Sequence, residues 1–349
     1  MNPNNILTIA IPAYNRVETL EQIIKQLKSQ SDQNFELIIS DDASPDNGGI
    51  KQMVGRYIKD MPQLHYYRNE INLGFSGNIC KLYELANTRY VWFLCDDDSV
   101  FEDSVKNIND SLKKYEPVVA VYNHTWINPY GVKLLAGPKH DIIYDNLSKL
   151  DDYQPIMRTT FLSSLVVEKR LPIDVIKSTN YKDNVFVQIT ISLLLLSNKF
   201  KFCEIALPIL HRNVGYKYGD FYKFYLVDEF KSIYAIKHNF DNEKFIQWKK
   251  RQLFTALLLY LSQKIGLFSY KLDPTKETMD KIANYYGMYK YFIYSFKYVK
   301  LLTPTVLLKT IYLIQLMLIH GVSKGLKVYK QNINRAFTDA RKTGFVSYK

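Results

Sequence analysis

The stretch YVWFLCDDDS, residues 90–99, decides how the rest of the chain is interpreted. Six hydrophobic residues in succession predict a buried strand, and three aspartates follow it directly. Carboxylates this close together repel one another, and a hard cation such as Mg²⁺ or Mn²⁺ relieves that repulsion. The alternative is a polar turn that caps the next helix.

Apolar runs of strand length also occur on both sides of this stretch. They predict further strands over residues 6–11, 35–40, 64–68 and 117–122. Apolar residues at helical spacing separate the first two runs and also precede residue 90, so strands and helices alternate. This order predicts an α/β fold, a mostly parallel sheet with helices on both faces. Ligands of such sheets bind at the carboxyl ends of the strands.

Polar segments follow four of the predicted strands. They are IPAYNR (11–16), ISDDAS (39–44), NLGFSGN (72–78) and FLCDDDS (93–99). In this order and spacing they resemble the family 2 glycosyltransferases of GT-A fold, and within them the bacterial abequosyltransferase-like branch. The resemblance implies an inverting, metal-dependent glycosyltransferase of hexosyltransferase type. Its donor would be a nucleoside diphosphate sugar, with UDP as the nucleotide, and its acceptor a growing bacterial surface glycan or a lipid-linked oligosaccharide.

The resemblance also implies which residues contact the donor. Asp42 accepts a hydrogen bond from the base, beside Asp41, while a glycine-rich loop approaches the ribose and diphosphate. The alternatives are an Asx turn at the end of a strand and a strand-to-helix turn with Asn72 as its cap. The complete donor set is Pro12, Ala13, Tyr14, Arg16, Asp41, Asp42, Gly74, Asn78, Asp96, Asp98 and Arg212.

The three aspartates correspond to the DXD-type metal signature of the family. The alignment makes Asp97 the ligand of Mn²⁺ or Mg²⁺, with the flanking aspartates in support. Cys95 stands where the family commonly has an aspartate. His211 is expected as an additional metal ligand next to Arg212, which would close over the diphosphate. The alternative is a surface His-Arg pair.

The expected catalytic base is Asp183, which lies 86 residues after Asp97 and precedes an apolar helix predicted from 185 to 196. Its competitors are Glu168 and Asp174, and its alternative role is that of a helix N-cap. The resemblance places an acceptor loop at residues 161–164, with Ser163 and Ser164 as the residues that bind the acceptor.

Charge divides the chain into two parts. Residues 241–349 carry a net charge of +13, while the whole chain carries +12. The first 240 residues therefore have a net charge of only −1. We therefore expect a glycosyltransferase domain over 1–240 and a basic, mostly helical region after it. The domain would consist of a nucleotide-sugar half, 1–125, and an acceptor half, 126–240. The basic region is predicted to bind an anionic membrane surface or to form a homodimer interface.

Other features limit the remaining possibilities. Three cysteines exclude a disulfide scaffold, and no signal peptide is recognisable, so a cytoplasmic location is expected, or a peripheral one on the inner membrane face. The basic region contains two apolar stretches, residues 254–268 and 310–322, and both are shorter than the roughly 20 residues that a helix needs to cross a bilayer. A nucleic acid partner is not expected. The competing functions are a nucleotidyltransferase, which PAYNR disfavours by its lack of glycine, and a non-catalytic scaffold.

Overall fold

A computed structural model describes residues 5–127, 133–150, 155–179, 184–213 and residue 243. These residues belong to one compact unit of the chain. The proposed base Asp183 lies outside the described residues, as does the basic region apart from residue 243.

The described residues form a single mixed sheet flanked by six helices. The strand order is β3-β2-β1-β4-β9-β6-β10-β5, with β7 paired to β6 and β8 to β10. In chain order the elements are β1 (Leu7–Ala13), α1 (Val17–Lys28), β2 (Glu36–Asp41), α2 (Gly49–Gly55), β3 (Leu64–Arg68), α3 (Gly74–Leu85), β4 (Tyr90–Phe93), β5 (Ser99–Val100), α4 (Ser104–Tyr115), β6 (Val119–Ile127), β7 (Lys133–Ala136), β8 (Ile142–Tyr144), β9 (Leu165–Glu168), α5 (Ile173–Lys177), α6 (Val187–Asn198) and β10 (Phe202–Arg212).

The half of the sheet that begins with β3 is parallel, and its strands β1, β2 and β4 are buried on both faces. Strands β1, β2, β3 and β4 pair in parallel, with Ala13 opposite Asp41 at the ends of β1 and β2. Alternate residues of β1, such as Leu7 and Ile9, join a core cluster with the apolar side of α1. Helix α3 packs against β1 and β2. Burial on both faces explains why these strands are continuous apolar runs.

The second half of the sheet contains strands that the apolar runs did not predict. Strand β9 pairs antiparallel with β4 and β6, and β10 runs parallel to β6 with irregular register around Pro208. Strand β10 ends with His211 and Arg212, the two residues expected at the metal and the diphosphate. The proline and the missing alternation hide β10 in the sequence, and pairing with β6 determines it.

Helix α6 is buried along almost its whole length rather than on one side. It runs from Val187 to Asn198, slightly later than the predicted 185–196, and its ten residues from Val187 to Leu196 are all buried. Twelve residues are too few to cross a bilayer, which fits a helix enclosed in the protein. Within the described part of the chain, no helix has the length and apolarity of a membrane span.

Candidate active site

The polar segments after β1, β2 and β4 meet at one edge of the sheet, which we call the carboxyl edge. These strands are parallel neighbours, so their last residues lie side by side. Arg16, after β1, connects two of the segments directly. Its Nη1 donates to Asp96 Oδ1 at 3.0 Å and to Asp97 Oδ2 at 3.2 Å. The structure thus brings together the tyrosine-arginine and triple-aspartate segments that the sequence singled out.

The three aspartates differ in exposure. Asp96 and Asp98 are buried, whereas the Asp97 side chain is 21% exposed. Burial raises the pKa of Asp96 to about 6, against the attraction of Arg16, and the charge of Asp97 adds to the rise. Burial also raises the pKa of Asp98 to about 6. Three adjacent carboxylates are therefore an unfavourable group at neutral pH, and a bound cation would stabilise their charged form.

Asp98 is held by two other segments of the chain. Ser163 Oγ donates to Asp98 Oδ2 at 2.5 Å, and the Asn213 backbone N–H donates to Asp98 Oδ1 at 2.9 Å. Ser163 also accepts from the Cys95 N–H. Ser163 and Ser164 are fully buried, so neither hydroxyl is accessible to a sugar acceptor in this structure. This burial corrects the acceptor-binding prediction, since Ser163 instead fixes the triple-aspartate segment.

A cavity of about 400 Å³, which we call the aspartate pocket, opens beside these carboxylates. His211, at the end of β10, lines it and shares a 3.0 Å hydrogen bond between its Nδ1 and Thr125 Oγ1. The full lining is Thr19, Gln22, Asp96, Asp97, Asp98, Ser99, Ile127, His211, Arg212 and Asn213.

The ligand atoms beside this pocket fit a divalent cation. One ligand atom each from Cys95, Asp97 and Asp98 lies within 4.8 Å of the others. Burial raises the pKa of the Cys95 thiol, and the surrounding aspartates raise it further, so the sulfur stays protonated at neutral pH. The two carboxylates are then the ligands available, and oxygen ligands suit Mg²⁺ and Mn²⁺.

Asp42 is a buried carboxylate with one oxygen still available. Its Oδ1 accepts from Asn69 Nδ2 at 2.9 Å and from the Leu73 N–H at 2.8 Å. No donor to Oδ2 occurs among the residues that the structure describes. Tyr14, at the end of the neighbouring strand, is 48% exposed. A fixed carboxylate and an exposed ring are the two groups needed to recognise a pyrimidine. Pro12 and Ala13 contribute mainly backbone to this segment, and the Ala13 carbonyl accepts the Asp42 N–H.

Asp41 differs from its neighbour because its carboxylate is already saturated. Burial alone would raise the pKa of Asp41, but hydrogen bonds from Ser44, Tyr66 and Arg68 together hold it below its ordinary value. The side chain is fully buried. Ser44 Oγ in turn accepts the Asn15 N–H at 2.8 Å, which connects the segments after β1 and β2. Asp41 therefore fixes the segment after β2 by its hydrogen bonds with Ser44, Tyr66 and Arg68, and no oxygen of its carboxylate is directed to a ligand.

The glycine-rich segment leads into helix α3, whose N-cap is Leu73 and not Asn72. Gly74 has a φ of +72° and donates its N–H to Asn72 Oδ1 at 2.9 Å. Asn78 lies inside α3, where its Nδ2 donates to the Ser40 carbonyl at 2.9 Å. Asn78 is buried and supports the end of β2, so only the first residues of this segment are placed to contact a ligand.

The surroundings of Asp183 exclude one alternative for it. Helix α6 begins at Val187 with Phe186 at its N-cap, so Asp183 is not the N-cap residue. Asn184 forms the turn before the helix, since its Oδ1 accepts the Phe186 N–H at 2.9 Å. The Asn184 carbonyl accepts from Ser76 Oγ in α3, which anchors this end of the segment beside the glycine-rich turn.

The two competitors of Asp183 lie elsewhere. Glu168 is opposite Tyr90, the first residue of β4, and therefore at the edge of the sheet remote from the aspartates. It pairs with Arg89 and Arg170. Asp174 lies in the first turn of α5. Two further residues contact the site without a local motif to mark them in the sequence. Thr125, on β6, shares a hydrogen bond with His211, and Asn213, directly after β10, donates its N–H to Asp98.

Comparisons with known proteins match this chain to glycosyltransferases. The family model "Glycosyl transferase family 2" matches residues 8–154. The abequosyltransferase RfbV of Salmonella typhimurium is 36% identical over 104 residues, which are 29% of this chain and 30% of the relative. A Campylobacter jejuni enzyme, GalNAc(5)-diNAcBac-PP-undecaprenol beta-1,3-glucosyltransferase, is 31% identical over 103 residues, 29% of this chain and 33% of the relative. The chain thus spans about a third of the length of these curated relatives.

Solved structures share the fold at low sequence identity. The S. aureus TarS 1-349 structure in complex with UDP has a TM-score of 0.54 and 13% identity, and the match covers 98% of this chain and 93% of that one. The complex of the same protein with UDP-GlcNAc has a TM-score of 0.52, also at 13% identity and the same coverage. The fold is of GT-A type, and residues 8–154 match the model of glycosyl transferase family 2.

Proposed function

We propose that the protein is an inverting, metal-dependent glycosyltransferase that moves a sugar from a UDP-sugar to a bacterial surface glycan or lipid-linked acceptor. One observation carries the proposal: the carboxyl edge brings together the buried, fixed carboxylate of Asp42 and two carboxylates suited to a cation, those of Asp97 and Asp98. The TarS complexes with UDP and UDP-GlcNAc support the choice of nucleotide. The Campylobacter relative, named for an undecaprenol-linked substrate, supports a lipid-linked acceptor.

The donor base would bind between Tyr14 and Asp42. The exposed Tyr14 ring offers a stacking surface, and Asp42 Oδ2 would accept the N3–H of uracil. The bonds from Asn69 and Leu73 fix the Asp42 carboxylate before any ligand arrives, so little orientation entropy is lost on binding.

The diphosphate would occupy the aspartate pocket. Asp97 is the proposed principal ligand of Mn²⁺ or Mg²⁺, with Asp98 and His211 in support, and the bound ion would neutralise charge on the departing diphosphate. The hydrogen bond between Thr125 and His211 Nδ1 leaves Nε2 as the nitrogen for a ligand. Arg16 and Arg212 supply positive charge at the same pocket.

The acceptor hydroxyl would lose its proton to Asp183. The segment that ends at Asn184 is tied to Ser76 in α3, so Asp183 directly precedes a point anchored to the donor side of the sheet. A carboxylate within reach of the acceptor hydroxyl would act as general base while the diphosphate leaves from the opposite face of the sugar.

Removal of the Asp42 carboxylate is expected to weaken UDP binding. Asp42→Ala loses a charge-assisted hydrogen bond to the base, which corresponds to about 1.5–3 kcal/mol of binding free energy. Calorimetry with UDP and Mn²⁺ measures the change. Asp46→Ala is the matched control, because the Asp46 carboxylate accepts, among the described residues, only the backbone N–H groups of Gly48 and Ile50. Unchanged UDP affinity in Asp42→Ala, or an equal loss in Asp46→Ala, would show that the base binds elsewhere.

The basic region 241–349 is proposed to bring the enzyme to anionic membranes. Each Lys or Arg near such a surface contributes about 1 kcal/mol, and salt screens this attraction. We expect the full chain to sediment with phosphatidylserine-containing vesicles at low salt and to be released at about 0.5 M salt. Absence of binding at low salt would remove this role, and a concentration-dependent dimer would make the region an interface instead.

A further inference from the structure

Phe161 lies in direct contact with the arginine of the aspartate pocket. The Cζ atom of Arg212 is 4.9 Å from the centroid of the Phe161 ring, a distance at which a cation and an aromatic ring attract each other. The same ring contacts His124, with the two centroids 4.3 Å apart and the planes at 51°. Phe161 itself is partly buried and packs against the core of the sheet, so its position is fixed.

The position of Arg212 beside the aspartate pocket makes the contact with the Phe161 ring relevant to phosphate binding. It is the last residue of β10, and its side chain lines the aspartate pocket. Its charge opposes the burial that raises the pKa of Asp98, which places the guanidinium near the triple-aspartate segment. A free arginine side chain would lose several rotatable bonds when it bound a phosphate, whereas one already held on a ring loses less.

His124 completes this arrangement as a neutral ring. It is 8% exposed, and its Nδ1 finds no partner within the described ranges of the chain. Burial lowers the pKa of His124 to about 3, and the charges of Arg212 and Arg158 lower it further. The ring that packs against Phe161 therefore carries no charge at neutral pH and does not repel the nearby arginine.

We propose that Phe161 is a positioning residue whose ring holds the Arg212 guanidinium at the aspartate pocket for the diphosphate of the donor. The inference rests on the proposed function and adds a specific requirement to it. Phe161 has no place in the motifs of the donor site, and it acts only through Arg212. The base-binding part of the donor, at Asp42 and Tyr14, belongs to a different segment and is independent of Phe161.

The test is a double-mutant cycle read with two ligands. UDP with Mn²⁺ is titrated by calorimetry, and uridine, which lacks the diphosphate, by ligand-observed NMR. The proteins are the full chain, Phe161→Leu, Phe161→Tyr, Arg212→Met and the Phe161→Leu/Arg212→Met double variant. Leucine keeps an apolar side chain against the core but removes the aromatic face, and tyrosine keeps that face.

Phe161→Leu is expected to weaken UDP binding by about 3- to 20-fold while uridine affinity stays the same. Phe161→Tyr should bind UDP like the unmodified chain. In the double variant, Phe161→Leu should add no further loss to that of Arg212→Met. These results together would establish the positioning role.

Other results would overturn the inference. An equal loss of UDP and uridine affinity in Phe161→Leu would mean a general structural effect. Unchanged UDP affinity, or additive losses in the double variant, would disconnect Phe161 from Arg212 while leaving the proposed function intact. If the unmodified chain bound neither ligand, the proposed function and this inference would both be wrong.

Discussion

Asp97→Asn is expected to reduce metal-dependent sugar transfer by about 10³-fold or more while the fold remains intact. The substitution keeps the size of the side chain and removes one negative charge. Asp97 is the most exposed of the three aspartates, whereas both oxygens of Asp98 already accept hydrogen bonds from Ser163 and Asn213. Asp97 is thus the carboxylate with the most freedom to bind an ion, and an amide is a much weaker ligand.

Two readouts separate the metal role of Asp97 from a loss of structure. Turnover of the donor is measured with Mn²⁺ and with excess chelator, and Mn²⁺ binding is measured by electron paramagnetic resonance. Asp110→Asn serves as the control, since Asp110 is an exposed aspartate on α4, away from the motif. Full turnover in Asp97→Asn, or in the unmodified chain with chelator, would remove the metal from the account.

Asp183→Asn is expected to slow transfer by about 10²–10⁴-fold, the usual effect of losing a positioned general base. UDP binding should stay nearly unchanged, because the proposed donor contacts belong to the segments after β1, β2 and β4 and to the end of β10. An effect on turnover without an effect on donor affinity indicates that the residue acts on the acceptor hydroxyl. Turnover with acceptor and calorimetry with UDP provide the two measurements.

Glu168→Gln is the matched control for the base. Glu168 is the last residue of β9 and lies opposite Tyr90 at the start of β4, away from the aspartates, where it pairs with two arginines. Its replacement should therefore affect stability before it affects the rate of transfer. If Asp174→Asn or Glu168→Gln shows the rate loss with normal UDP affinity and Asp183→Asn does not, the base is that residue instead.

The sequence was sufficient for the parallel half of the sheet. Strands β1, β2 and β4 are nearly continuous apolar runs because both of their faces are buried, and such runs are recognisable without a partner. The polar segments after them could be placed together for the same reason, since parallel strands end at a common edge. Strand β6 was also predicted, although it continues to Ile127, beyond the predicted end at 122.

Contacts between distant segments could not be predicted in this way. Asp41 and Asp42 are adjacent and chemically identical, yet only the structure shows that Tyr66 and Arg68 on β3 saturate the first. Ser163 was expected at an acceptor, but its hydroxyl is directed to Asp98, 65 residues earlier in the chain. Local patterns identify the residue types of a site, whereas long-range pairing decides which of them remain free to bind.

The most direct test of the central claim is donor hydrolysis by the full chain with a panel of nucleoside diphosphate sugars, with Mn²⁺ and with chelator. At least one UDP-sugar is expected to be cleaved slowly to UDP in the presence of Mn²⁺, and chelator is expected to stop the reaction. Release of UDP at the same rate in chelator would contradict the metal-dependent function, as would cleavage of none of the nucleotide sugars together with a lack of UDP binding.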